Sequence, residues 1–152
     1  MKKHIIFSSV LLLASAMTGE TMAACSGTQI TDTSSPTLTN LLTGNSMCQT
    51  SLQVAQEQHV SDGNLQDYKK GPLDPVDPTK SIGSWLVSGS GASTIVTYTY
   101  GSNVYSYNVF LVSGTAGLTG STYDFCTGAT VKATATWRPA FGSTVSNAPV
   151  CP

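Results

Sequence analysis

Between Thr94 and Val112 the chain alternates apolar and polar residues in two runs that share one register. Setting Tyr100 opposite Tyr105, Tyr98 opposite Tyr107 and Val96 opposite Val109, across a turn of Gly101, Ser102, Asn103 and Val104, places Val96, Tyr98, Tyr100, Tyr105, Tyr107, Val109 and Leu111 on one face. Thr97, Thr99, Ser106 and Asn108 fall on the other. Side chains of a strand point to opposite faces in turn, so a period of two that agrees across both runs predicts a β-hairpin. Gly-Ser-Asn supplies the backbone freedom for its reversal.

The same pattern recurs along the chain. Ser51 to Val60 alternates Leu52, Val54, Gln56, Gln58 and Val60 with Gln53, Ala55, Glu57 and His59, which predicts a strand despite a composition that also suits a helix. Asp62-Gly63 is a hairpin turn, with Asn64 to Tyr68 returning. Gly71 to Pro78 carries three prolines, each removing a backbone donor, and is a loop. Ile82 to Ser88 sets Trp85 and Val87 against Ser84, Leu86 and Ser88. After the central hairpin and a glycine-rich turn, Thr122 to Cys126 carries Tyr123 and Phe125 on one side. The last strand puts Val131, Ala133, Ala135 and Trp137 opposite Thr130, Lys132, Thr134, Thr136 and Arg138. About eight strands with short turns and no crossover helix predict an all-β fold. An antiparallel meander hides its edges by closing into a small barrel or by stacking as a two-sheet sandwich, and the barrel is the first choice.

The N-terminus changes where this fold is expected to work. Met1-Lys2-Lys3, the apolar run Ile5 to Ala16 and the small residues before Ala24 have the layout of a cleaved signal peptide over residues 1–23. That run is too short to span a bilayer, so no transmembrane segment is expected. Residues 24–40 read as a polar lead segment with only Ile30 and Leu38 to bury, and 41–152 as the antiparallel β domain. Removing Lys2, Lys3 and Glu20 from seven basic and eight acidic residues leaves five and seven, a balance that offers no footprint for nucleic acid.

Cys25, Cys48, Cys126 and Cys151 all follow the expected cut, which in an oxidising periplasmic or secreted setting predicts two disulfides. Of the three connectivities, sequential pairing of Cys25 with Cys48 and of Cys126 with Cys151 is favoured, because each pair staples one end of the chain to a nearby strand. Met22-Ala23-Ala24-Cys25 also approximates a lipidation motif, which would anchor the chain through Cys25 and leave an odd cysteine.

Leu42-Thr43-Gly44-Asn45, Asp62-Gly63-Asn64-Leu65, Gly83-Ser84-Trp85, and the pair Tyr98-Thr99-Tyr100 and Tyr105-Ser106-Tyr107, taken in order over residues 41–126, resemble a group of small exported bacterial domains that are loosely lipocalin-like. The resemblance implies a small antiparallel barrel and no assigned chemistry.

Candidate chemistry is sparse. Trp85, Tyr98, Tyr100, Tyr105 and Tyr107 are the candidate ligand-binding residues, since tyrosine joins an apolar ring to a hydroxyl that fixes orientation in a small-molecule pocket. The competing reading makes them plain core or a cross-strand aromatic ladder. Asp67, Asp74 and Asp77 lack the register of a calcium loop. His59, the one histidine after processing, has Glu57 and Asp67 nearby in sequence, yet no Gly-x-Ser-x-Gly elbow, zinc spacing or phosphate loop accompanies it. The expectation is a non-enzymatic domain without metal or cofactor that binds a small apolar or aromatic ligand. The alternative is a structural or assembly subunit of the cell envelope or surface.

Overall fold

The computed structural model describes residues 23–49, 55–68 and 80–139. The expected signal peptide up to residue 22, the proline loop with Asp74 and Asp77, and the tail with Cys151 lie outside them. Among the described residues nine strands form: β1 (Thr28–Ile30), β2 (Ser46–Gln49), β3 (Ala55–His59), β4 (Asn64–Tyr68), β5 (Lys80–Ser88), β6 (Ile95–Tyr100), β7 (Asn103–Ser113), β8 (Thr122–Thr127) and β9 (Thr130–Arg138). One five-residue helix, α1 (Leu38–Leu42), accompanies them. Strands β2 to β9 pair each with the next, all antiparallel, and β9 returns to β2, so the meander closes into an eight-stranded barrel. The barrel, and not the sandwich, is the architecture.

The expected faces of the central hairpin form, but the hairpin is paired two residues away from expectation. Tyr100 lies opposite Asn103, Tyr98 opposite Tyr105 and Val96 opposite Tyr107, around a turn of Gly101 and Ser102. The shorter turn wins because Gly101 adopts a left-handed φ of 59°, which a tight two-residue reversal requires. A slip of two keeps every side chain on its face, whereas a slip of one would invert them all. Val96, Tyr98 and Val109 are accordingly buried, with Leu65, Trp85, Tyr123, Phe125, Ala135 and Trp137 facing them from other strands. At β5 and β9 the anticipated sides hold as well: Trp85 is buried while Leu86 stands 66% exposed.

The segment read as a polar lead is built into the fold. It contributes β1, which pairs with the part of β7 that β6 does not reach, and α1, whose Leu38, Leu41 and Leu42 are buried in the core at one end of the barrel. Its polar side chains order it by closing local turns and by reaching the turn before β6. Thr31 N–H donates to Ser34 Oγ, Asp32 Oδ1 accepts from Gly91 N–H at 2.7 Å, and Thr37 caps α1 by accepting from Asn40 N–H. The Trp137 indole N–H donates to the carbonyl of Leu41 at 2.8 Å, tying α1 to β9.

The cysteine pairing differs from expectation. Cys25 bonds to Cys126, 101 residues away, and Cys48 is also disulfide-bonded, so neither sequential pair forms. The chain just before β1 runs beside the start of β9, with Ala24 bridged to Thr130 and Cys25 N–H donating to the carbonyl of Ala129. That proximity, invisible in sequence, presents Cys25 to β8. Closing so long a loop stabilises the fold by about 4 to 5 kcal/mol on chain-entropy grounds. Among the described residues no helix is long and apolar enough to cross a membrane.

Leu42→Ala is expected to destabilise the protein by about 2 to 5 kcal/mol, because α1 is core and the cavity left behind cannot fully collapse. Thr39→Ala, on the exposed side of the same helix, should stay within about 0.5 kcal/mol. Denaturant melts of the two variants check this, and equal, small effects would mean that α1 is not part of the cooperative core.

Candidate functional site

Antiparallel closure gives the barrel two unlike ends. Helix α1, the Val60–Gly63 turn and the 3-10 turn Gly91–Ser93 gather at one. At the other, where β2, β4 and β6 finish, the inward side chains leave a cup of about 190 Å³. Tyr98 and Tyr100 reach it from β6, Tyr107 from β7, Phe125 from β8 and Glu57 from β3. Met47 and Gln49 of β2 and Lys132, Ala133 and Ala135 of β9 complete the wall. The small side chains of β9 matter because larger ones would fill the space.

Four rings touch one another around this cup. Tyr98 lies 6.0 Å from Tyr107 and 6.2 Å from Phe125 between ring centres, inclined at 48° and 53°, and Tyr107 meets Phe125 edge to face at 89°. Tyr100 runs nearly parallel to Tyr98 at 6.3 Å. Such inclined contacts satisfy the ring quadrupoles and hold the walls rigid. Gly83 of β5 makes room for them. A Cβ there would collide with the Thr99 carbonyl oxygen and come within 3.3 Å of Tyr100 Cδ1, so β6 and its tyrosine close over a bare backbone.

The polar groups are few and held in place. The Tyr100 hydroxyl donates to Glu57 Oε1 at 2.9 Å. Beneath the cup, the Tyr98 hydroxyl meets His59 Nε2 at 2.8 Å, and the His59 ring packs edge-on against Trp85 at 5.2 Å. Burial pushes the Tyr98 hydroxyl well above its ordinary pKa, and the charge of Glu57 adds to the push. Burial likewise raises Tyr107, followed by Tyr105 and Glu57. His59 is pushed down to about 4 by burial, which the neighbouring Asn45 and Glu57 backbone only partly opposes. The imidazole is therefore neutral, and it works as a buried hydrogen-bonding post for Tyr98.

Of the five aromatic candidates, the structure brings Tyr98, Tyr100 and Tyr107 together at the cup. Trp85 does not line it: the ring sits toward the capped end, with its indole N–H donated to the carbonyl of Val60 at 3.0 Å. Tyr105 shares their face by register but projects past the rim, 45% exposed, touching only the Tyr100 ring among the described aromatic contacts. Phe125 and Glu57 belong to the site although neither was selected for it. Phe125 was legible as an inward residue of its strand, while Glu57 gave no signal, because its nearness to Tyr100 is 43 residues away in sequence. Among the described residues no three His, Cys, Asp or Glu side chains gather to hold a metal ion. No known protein family, curated protein or solved structure matches the chain.

The buried neutral His59 makes stability depend on pH. Between pH 6.5 and about 4 the unfolded chain takes up a proton at this residue that the folded one refuses, so stability falls as the pH drops through that window, by about 3 kcal/mol in all. His59→Gln should be less stable at pH 7 and lose this share of the acid sensitivity. Equilibrium unfolding at several pH values, compared between the two proteins, checks the point; parallel curves would show that another group titrates.

Proposed function

We propose that the protein is an exported, non-enzymatic barrel that binds a small ligand with an apolar or aromatic body in the cup lined by Tyr98, Tyr100 and Tyr107. The observation that carries this reading is the convergence of Tyr98, Tyr100, Tyr107 and Phe125 from three strands onto one unfilled space. Aromatic walls with a few fixed polar groups are what a small-molecule site needs, since the rings supply contact area at low entropic loss and the hydroxyls set orientation. The volume fits a small guest: a cavity of about 150 Å³ suffices for benzene. The disulfide between Cys25 and Cys126 supports export to an oxidising compartment. It also speaks against lipid anchoring, because thioether formation would need the same Cys25 sulfur. The resemblance to small exported, loosely lipocalin-like domains, carried by short motifs over residues 41–126, implies a small antiparallel barrel, and the closed meander agrees with that shape.

Catalysis finds little support here. His59 is buried, neutral and committed to Tyr98, and no nucleophile stands beside it among the described contacts. The reading as an assembly subunit is favoured by one observation, the uncharged outer face of β5 to β7, where Leu86 and Val104 are 66% and 63% exposed. Sizing over a range of concentrations separates the two. Association that Leu86→Lys abolishes would favour assembly, whereas a monomer at all concentrations favours the binding module.

Native mass spectrometry of gently purified protein should show an added small mass. Tyr107→Ala, which opens the wall of the cup, is expected to weaken binding about tenfold or more, and Tyr105→Ala to leave it unchanged. A cup that stays empty against broad small-molecule panels, by mass and by calorimetry, would defeat this function.

A further inference from the structure

We infer that the ligand for which this cup is built is a small, rounded organic cation, such as an alkylammonium or quaternary ammonium group, held by ring faces and by Glu57. The inference rests on the binding reading above and narrows its chemistry.

Shape is the first argument. A flat ring bound face-on needs two parallel walls about 7 Å apart, twice an ordinary carbon contact. Among the described rings the one near-parallel pair at the cup, Tyr98 and Tyr100, is 6.3 Å apart at 23° and in contact with itself, which leaves no slot between. The remaining rings meet at 48° to 89° and so enclose a rounded hollow. Inclined aromatic faces converging on a point suit a compact group that contacts several of them at once.

Charge is the second. The faces of tyrosine and phenylalanine carry negative potential, and a cation within about 6 Å of a ring centre is drawn to it, more strongly when desolvated. Glu57 stands in the same wall, its carboxylate oriented by the Tyr100 hydroxyl at 2.9 Å. Burial is the main cause of the raised Tyr98 and Tyr107 hydroxyls, and the Glu57 charge adds to it at both. An anionic guest would meet this carboxylate and the ring faces together. Among the described residues Lys132 is the one basic residue of the wall; it is exposed at the rim, where solvent screens its charge.

The test uses the purified protein and calorimetric titration with choline, its neutral isostere 3,3-dimethylbutan-1-ol, benzyl alcohol and benzoate. Choline is expected to bind at least about tenfold tighter than the isostere. Glu57→Gln should shrink that preference to about threefold or less, and Tyr107→Leu, which keeps the apolar wall but removes the ring, should shrink it too. Unchanged thermal midpoints confirm that both variants are folded. Lys132→Ala should retain or improve choline binding. Equal affinity for choline and its isostere, tighter binding of benzyl alcohol, or binding of benzoate that Lys132→Ala abolishes would overturn the cation assignment and leave the cup as a site for neutral or anionic guests. No binding of any probe at millimolar concentration would remove the cation assignment and count against the binding function itself.

Discussion

The pairing of β2 with β9 is the contact on which the rest depends. Met47 opposite Trp137 and Gln49 opposite Ala135 join the first and last strands of the meander and so turn a sheet with two edges into a closed wall. Without closure the alternating pattern would only separate one face from the other, and two rows of backbone donors and acceptors would lie open to other chains. With closure, one face becomes an interior. The core of Leu65, Trp85, Val96, Tyr98, Val109, Tyr123 and Phe125 is then shared by strands that are distant in sequence.

Closure also sets what the two ends can do. Helix α1 fills one with Leu38, Leu41 and Leu42, and the buried pair His59 and Tyr98 forms a polar floor in the middle. Above that floor the interior is lined by rings on β6, β7 and β8 but by alanines on β9, and the mismatch in size leaves the cup. A uniformly large set of inward residues would have packed solid. Glu57 is tolerated in this wall because Tyr100 donates to it, which gives a mostly aromatic hollow one oriented negative group. The proposed binding and the proposed preference for cations both rest on this asymmetry.

How legible the site was follows from the range of each signal. Tyr98 and Tyr107 could be placed on a common face because strand alternation is local, and it survives the two-residue error in pairing. Trp85 obeyed the same alternation and is inside, yet position along the barrel axis decides between core and cup, and alternation carries no such coordinate. Tyr105 shows the same gap at the rim. The lead segment shows a different limit. Thr31 and Thr37 join partners three residues away, which a local pattern can suggest, but Asp32 accepts from Gly91 N–H, 59 residues on, which no local pattern announces.

What the sequence determined alone is what repeats with period two: an all-β chain, and the inward side of the strands that alternate most regularly. The tertiary structure decided which strand meets which beyond nearest neighbours, that Cys25 would find Cys126 and that Glu57 would stand beside Tyr100. It also decided which end is capped. Those outcomes depend on contacts across 40 to 100 residues, as in the 43 and 101 that separate these last pairs. Side-chain direction is a property of the local backbone; proximity through space exists only once the barrel has closed.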